Sequence, residues 1–93
     1  MGEYSIILSR NARKTLLKVD KSGDKGAKKK IEDLFKELSK HPRTGTGKPE
    51  ELSGDLSGYW SRRIDKKNRL IYEIDEEYAE VHISGFLGHY GDK

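Results

Sequence analysis

The chain has 93 residues, no cysteine, a net charge of +3, and 38% charged against 32% apolar residues. This length fits one domain with a small core, and the lack of cysteine excludes a disulfide framework and a thiolate zinc site. The three histidines lack metal-site spacing, and no apolar run is long enough for a membrane span or a signal peptide. We therefore predict one domain over residues 1–93, cytoplasmic, with neither metal nor cofactor.

Charge is divided unevenly along the chain. Residues 10–48 carry 13 Lys and Arg against 5 Asp and Glu, whereas residues 49–80 carry 5 against 9. A basic half of this kind either binds a polyanion such as RNA or is a solvated, lysine-rich helix face. Lys28 and Lys29 belong to this half and are candidates for contacts with RNA phosphates.

A short strand and two helices are predicted in the first half. Residues 4–8 are apolar and β-prone, and Ser9 is a suitable N-cap for a first helix. Two glycines within residues 20–26 break that helix, and Asp24 can cap the second. The second helix ends before Pro42 and has one apolar stripe. The stripe consists of Ala27, Ile31, Leu34, Phe35 and Leu38.

Three strands are predicted in the second half, after a Gly-rich loop. Alternating residues indicate strands at 59–64, 69–74 and 78–86, joined by polar turns. On the strand predicted at 59–64, Arg62 lies on the same face as the apolar side chains, and Arg63 lies on the opposite face. The order strand, helix, helix, strand, strand, strand predicts an α+β fold, with two helices packed on one face of a mostly antiparallel four-stranded sheet.

Several polar residues of the second half could together cleave RNA without a metal ion. Glu50 follows the rigid Pro49, and His89 and Tyr90 stand near the end of the chain. A carboxylate can take the proton of a ribose 2′-OH, an imidazole can protonate the leaving oxygen, and an aromatic ring can stack on a base. Arginine can stabilise the charge on phosphorus, but strand arginines also pair with carboxylates across a sheet. The arginines in question are Arg62, Arg63 and Arg69.

Four segments closely resemble the YoeB/Txe branch of the RelE-type bacterial toxins. They read Gly-Thr-Gly-Lys-Pro-Glu at 45–50, Leu-Ser-Gly-Tyr-Trp-Ser-Arg-Arg-Ile at 56–64, Asn-Arg-Leu-Ile-Tyr at 68–72 and His-Tyr at 89–90. The resemblance implies a RelE-like microbial-RNase-type fold and a ribosome-dependent mRNA endonuclease acting in the A site. It also implies a YefM/Phd-type antitoxin that holds the toxin inactive, and dimer formation.

The resemblance further implies roles for individual residues. Glu50 matches the family's general base, His89 the general acid, Arg69 the arginine that stabilises the transition state, and Tyr90 the tyrosine that orients or stacks the substrate nucleotide. The segment before His89 reads Gly-Phe-Leu-Gly, where relatives usually carry an arginine and an aromatic residue. The residues expected to contact RNA phosphates are Arg63, Arg62, Lys48, Lys28 and Lys29.

Two other functions stay open at this point. ParE-type toxins share the fold and inhibit DNA gyrase, but they lack the combination of Glu50 with His89 and Tyr90. A binding module with weakened catalysis, whose basic helices dock on RNA or on an antitoxin, is the second alternative.

Overall fold

The computed structural model describes residues 3–45, 47 and 49–88. A short 3-10 turn covers Gly54–Leu56. Among the described residues, no helix combines the length and the apolar character needed to cross a bilayer. The elements are β1 (Ser5–Leu8), α1 (Arg10–Ser22), α2 (Lys25–Lys40), β2 (Glu50–Glu51), β3 (Trp60–Arg63), β4 (Arg69–Asp75) and β5 (Glu80–Leu87).

The sheet has five strands in the order β1-β5-β4-β3-β2. β1 runs parallel to β5, and all other neighbours are antiparallel. The α+β class is confirmed, but the predicted four-stranded sheet was wrong, because the sheet is mixed and five-stranded. The additional strand, β2, has only two residues, and so short a segment shows no alternation from which a strand can be predicted.

Both helices begin at the predicted caps. The Ser9 hydroxyl and the Asp24 carboxylate each accept a hydrogen bond of 3.0 Å from the backbone N–H three residues further on. Gly23 ends α1 in the left-handed backbone region, with a φ of 78°. The break predicted over residues 20–26 is therefore only two residues long.

The core lies between the two helices and one face of the sheet. In β4, Leu70 and Tyr72 are fully buried in this core, so the alternating side chains of Arg69, Ile71 and Glu73 lie on the other face. We call that second face the outer face. The core consists of Ala12, Val19, Ile31, Leu34, Leu38, Ile64, Leu70, Tyr72, Val81, Ile83 and Phe86.

An exposed polar cluster joins the start of β1 to the loop after α2 and to the β4–β5 turn. The Tyr4 hydroxyl donates to Glu76 Oε1 at 2.7 Å, and Arg43 pairs with Glu76 Oε2. The hydrogen bond from Tyr4, followed by that from Arg43, lowers the pKa of Glu76, and the hydrogen bond to Glu76 raises the pKa of Tyr4. Three segments that are distant in sequence are thereby linked.

Candidate active site

Glu50 and Arg69 lie beside each other on the outer face. Glu50 pairs in register with Ser61 of β3, and Arg69 begins β4 opposite Arg63. Glu50 Oε1 is 3.6 Å from Arg69 Nη1, and that nitrogen is 3.5 Å from Ser61 Oγ. The two charged side chains are 66% and 41% exposed. Since a charge-assisted hydrogen bond measures about 2.7–2.9 Å, the carboxylate and the guanidinium are not locked together, and both remain partly accessible to solvent.

The loop before β2 is fixed against β3 at Gly47. The Arg63 N–H donates to the Gly47 carbonyl oxygen at 2.7 Å. Gly47 has a φ of 82°, and a Cβ at this position would lie 2.5 Å from the Arg63 carbonyl oxygen. Only glycine fits such a close approach in this conformation. The path of the chain is therefore set three residues before Glu50.

Arg63 adds a second guanidinium to the outer face. It is exposed, and it is the register partner of Arg69 on the neighbouring strand. Like charges directly opposite each other in a sheet repel, so this pairing is not explained by the stability of the sheet. Two neighbouring guanidinium groups can instead share a phosphate, whose oxygens match their geometry.

The turn before Arg69 is built by Asp65 and Asn68. Asp65 Oδ1 accepts the backbone N–H groups of Lys67 and Asn68 at 2.8 and 2.9 Å. The Asn68 amide donates to both Asp65 oxygens at 3.0 Å. Sequence reasoning assigned Asp65 to a polar turn only, and Asn68 to that turn and to one of the family-like segments. Their hydrogen bonds define where β4 begins, and hence where Arg69 lies.

Arg62 is not available to a phosphate, and its predicted contact with RNA was wrong. The side chain is fully buried on the core face, where Nη1 donates to Glu37 Oε1 at 2.7 Å. The guanidinium also lies 6.0 Å from the centre of the Tyr72 ring, whose hydroxyl has a pKa raised by burial. Arg62 therefore joins β3 to α2 and to the loop that follows it. In that loop Nη2 donates, at 3.0, 3.3 and 2.9 Å, to the carbonyl oxygens of His41, Pro42 and Thr44.

Lys28 and Lys29 lie in the helix layer, on the other side of the sheet from the outer face. Lys28 Nζ is 2.8 Å from Asp20 Oδ1, and Lys29 Nζ is 3.6 Å from Asp33 Oδ2. The structure therefore does not bring these two lysines together with the carboxylate and guanidinium groups of the outer face.

The last described residues run beside Arg69. Leu87 is its register partner in β5. Gly88 has a φ of 111° and packs on the turn before β4, where a Cβ would overlap the Lys67 carbonyl oxygen. The remaining predicted site residues lie outside the described residues, namely Lys48, His89 and Tyr90.

A group of metal-donor side chains lies elsewhere on the sheet. Within the described part of the chain, donor atoms of Asp75, Glu80 and His82 lie within 4.8 Å of one another. His82 Nε2 and Glu80 Oε1 are already hydrogen-bonded at 2.8 Å. Asp75 ends β4 and Arg69 begins it, so this group is separate from the candidate active site.

Comparison with known proteins identifies the family. Residues 11–90 match the model of the YoeB-like toxin of bacterial type II toxin-antitoxin systems. The chain belongs to this family. This YoeB-like toxin is 52% identical to Toxin YoeB of Streptomyces coelicolor over 58 residues, which cover 62% of this chain and 69% of that protein. The resemblance inferred from the four sequence segments is confirmed.

Solved structures of YoeB proteins share the fold. The YoeB/ParE toxin from Agrobacterium tumefaciens has a TM-score of 0.82 at 29% identity, covering 92% of this chain and 99% of that one. The YoeB-YefM heterotetramer from Staphylococcus aureus has a TM-score of 0.78 at 35% identity, and the match covers 94% of this chain and 98% of the matched chain. A YoeB dimer from the same species also has a TM-score of 0.78 at 35% identity, covering 95% and 99%.

Proposed function

We propose that this YoeB-like toxin is an endoribonuclease that cleaves messenger RNA in the ribosomal A site. One observation carries the proposal, namely that Glu50 and Arg69 are 3.6 Å apart on an exposed sheet face. A carboxylate and a guanidinium so placed can act on one phosphodiester, the first as a base and the second on the developing charge. Membership of the toxin family supports this activity.

In the proposed reaction Glu50 accepts the proton of a ribose 2′-OH, and that oxygen attacks the adjacent phosphorus. The bond from phosphorus to the 5′-oxygen breaks, and His89 gives a proton to this oxygen. The products are a 2′,3′-cyclic phosphate and a 5′-hydroxyl. Arg69 and Arg63 stabilise the negative charge on phosphorus, and Tyr90 stacks on the substrate base. These side chains supply all proton transfers, so no step is assigned to a metal ion.

The proposed partners come from the relatives. The Staphylococcus aureus YoeB has been solved with YefM and as a dimer. We extend these two kinds of assembly to this chain, and we expect it to bind a YefM-type antitoxin and to form a homodimer. Because Glu50 is 66% exposed, an antitoxin segment can reach and cover it. The proposed action on translating ribosomes would take place in the cytoplasm.

Primer extension on message bound to programmed ribosomes tests the proposal. We expect the parent chain to cut the message, and Glu50→Gln to cut it about 10²- to 10⁴-fold more slowly, because a general base contributes about that factor. Glu51→Gln is the matched control. Glu51 is the next residue of β2 and is also exposed, but its side chain points to the opposite face. We expect its cleavage rate to equal that of the parent.

Three outcomes would count against the proposal. Unchanged cleavage by Glu50→Gln would remove Glu50 as the base. An uncut message, together with inhibition of gyrase in a supercoiling assay, would favour the activity of ParE-type toxins. Binding to ribosomes with the message left uncut would instead favour a binding module.

A further inference from the structure

The outer face carries a second polar group, at the end of β4 that lies away from Arg69. Asp75 and Glu80 are register partners across β4 and β5, and His82 follows two residues later in β5. Glu80 and His82 point to the same side of β5, because Val81 between them is fully buried in the core. One donor atom of each of these three side chains lies within 4.8 Å of the other two. Three potential metal ligands are therefore together on the outer face.

The spacing of the donor atoms suits a single ion. Donors bound to one zinc ion at about 2.0–2.2 Å lie about 3–4 Å from each other. His82 Nε2 and Glu80 Oε1 are already 2.8 Å apart. Asp75 Oδ1 accepts the Tyr78 N–H at 3.2 Å, which holds this carboxylate beside the turn. Because all three donors stand on paired strands, their positions are set by the sheet before any ion binds.

The pairing of Asp75 with Glu80 is not explained by the stability of the sheet. Two carboxylates directly opposite each other repel, and no salt bridge among the described residues gives either of them a lysine or arginine partner. On the other side of β5, strand β1 presents Ser5 and Ile7, which carry no charge. A cation bound between the two carboxylates would remove this repulsion.

An open cavity beside these donors leaves room for water. It has a volume of about 350 Å³, and Glu73, Asp75 and His82 are among the residues that line it. Zinc sites with three protein ligands complete their coordination with a water molecule. The cavity can hold such a water next to the three side chains, so the donor number and the space agree.

The imidazole decides which class of ion fits. Magnesium and calcium prefer ligand shells of oxygen atoms, whereas an imidazole nitrogen suits zinc and the neighbouring transition metals. Without His82 the group would be only a pair of carboxylates. The chain has no cysteine, so the soft thiolate ligands that select copper(I) are absent from it. One imidazole with two carboxylates therefore indicates zinc.

We propose that Asp75, Glu80 and His82 bind a zinc ion, and we call this group the β4–β5 zinc site. The ion joins the two strands beside their turn and so stabilises the folded chain. Asp75 is six residues from Arg69 on the same strand, about 20 Å away. The site is therefore separate from the proposed nuclease chemistry. Histidine spacing along the sequence does not indicate it, because strand pairing brings the donors together.

Calorimetric titration of the untagged chain with zinc chloride tests the site. We expect one saturable zinc ion per chain. His82→Gln should bind it at least about tenfold more weakly, because even residues that only support a metal ligand contribute about 10- to 100-fold. His41→Gln is the matched control, since His41 is an exposed histidine at the end of α2, and it should keep the parent affinity. Magnesium chloride should give no saturable binding.

Thermal unfolding gives a second readout. At a zinc concentration about 100 times the dissociation constant, we expect the Tm of the parent to rise by about 10–20 °C, and EDTA to reverse the rise. Without zinc, His82→Gln should melt close to the parent, because the His82 side chain is 41% exposed. A missing zinc effect in this variant is then not a failure to fold.

Several results would overturn the inference. No saturable zinc binding, or an unchanged affinity in His82→Gln, would remove the site. Equal losses in His82→Gln and His41→Gln would show that no particular histidine holds the ion. Loss of binding in His89→Gln alone would assign the ion to the proposed active site. Equal affinities for magnesium and zinc would leave only a nonspecific acidic patch. Cleavage of message is not measured, so the outcome is independent of the proposed nuclease activity.

Discussion

Arg62 and Arg63 are consecutive in β3, yet the first is fully buried and the second is exposed. Strand alternation directs Arg62 towards α2 and Arg63 to the outer face beside Arg69. One arginine therefore holds the fold together, while its neighbour remains available to an anion. Measurements of stability and of activity should separate the two.

We expect Arg62→Met to lower the free energy of unfolding by about 3 kcal/mol, because three loop carbonyls, among them the buried Pro42 carbonyl, lose their donor and the ion pair of Arg62 with the partly buried Glu37 is broken. Arg63→Met should stay within about 0.5 kcal/mol of the parent, as surface substitutions do, but should slow cleavage of the message. Urea denaturation gives the first quantity and primer extension the second. A loss below about 1 kcal/mol for Arg62→Met would contradict its structural role.

The Tyr4–Glu76 hydrogen bond should make stability depend on pH. That bond and the Arg43 pair hold the pKa of Glu76 below its ordinary 4.5. Because the lower value belongs to the folded state, this stabilisation is present above pH 4.5 and is lost as pH falls through the folded-state pKa.

We therefore expect Glu76→Gln to be less stable than the parent at neutral pH and to approach it in acid. Urea titrations across this range measure the difference, with Glu77→Gln, an exposed carboxylate of the same turn, as control. Stability curves for Glu76→Gln and the parent that run parallel at all pH values would show that Glu76 has no such linkage.

Gly47→Ala should lower the free energy of unfolding by about 1–3 kcal/mol and should also slow cleavage. Its φ is 82°, and the added Cβ meets the Arg63 carbonyl oxygen at 2.5 Å, so the loop that carries Glu50 must shift. Gly58→Ala is the matched control, since Gly58 has a φ of 96° and nothing within 4 Å of the added Cβ. Equal losses of stability and activity in the two variants would show that the approach to Arg63 has no effect of its own.

Leu87→Arg should strengthen the site. Leu87 is 52% exposed and is the register partner of Arg69, so a guanidinium there would adjoin the proposed phosphate position. We expect tighter binding of message-programmed ribosomes, with the salt slope increased by about one. Leu56→Arg adds the same charge at a residue of similar exposure in the 3-10 turn. If both variants bind equally well, the gain comes from net charge alone.

Local signals in the sequence were enough to predict both helices. Ser9 and Asp24 are N-caps as expected, and the apolar stripe of α2 places Ile31, Leu34 and Leu38 in the core. The alternation in β3 also indicated correctly that Arg62 shares the face of the apolar residues. Capping and periodicity depend on near neighbours, so one sequence carries them.

Contacts between distant segments could not be predicted in this way. The carbonyl oxygens that bind Arg62 come from a loop about 20 residues earlier, and no pattern around the arginine indicates them. The parallel pairing of β1 with β5 likewise joins the two ends of the fold. The last strand starts at Glu80 and not at residue 78, because Ala79 adopts a left-handed φ of 53° in the turn. For the site, family motifs indicated Glu50 and Arg69, which the sheet then brings together.

The parallel pairing of β1 with β5 has a consequence for the synthesis of this toxin. Ser5 pairs with Glu80, so the edge strand β1 finds its partner only after residues 6–79 and β5 itself have been translated. Pairings this distant in sequence form late, since the intervening chain must first be ordered. While residues 80–87 are still inside the exit tunnel, the nascent chain has neither a complete sheet nor the strand that runs beside Arg69. The sheet, and with it the site around Arg69, is therefore completed only after β5 has left the tunnel.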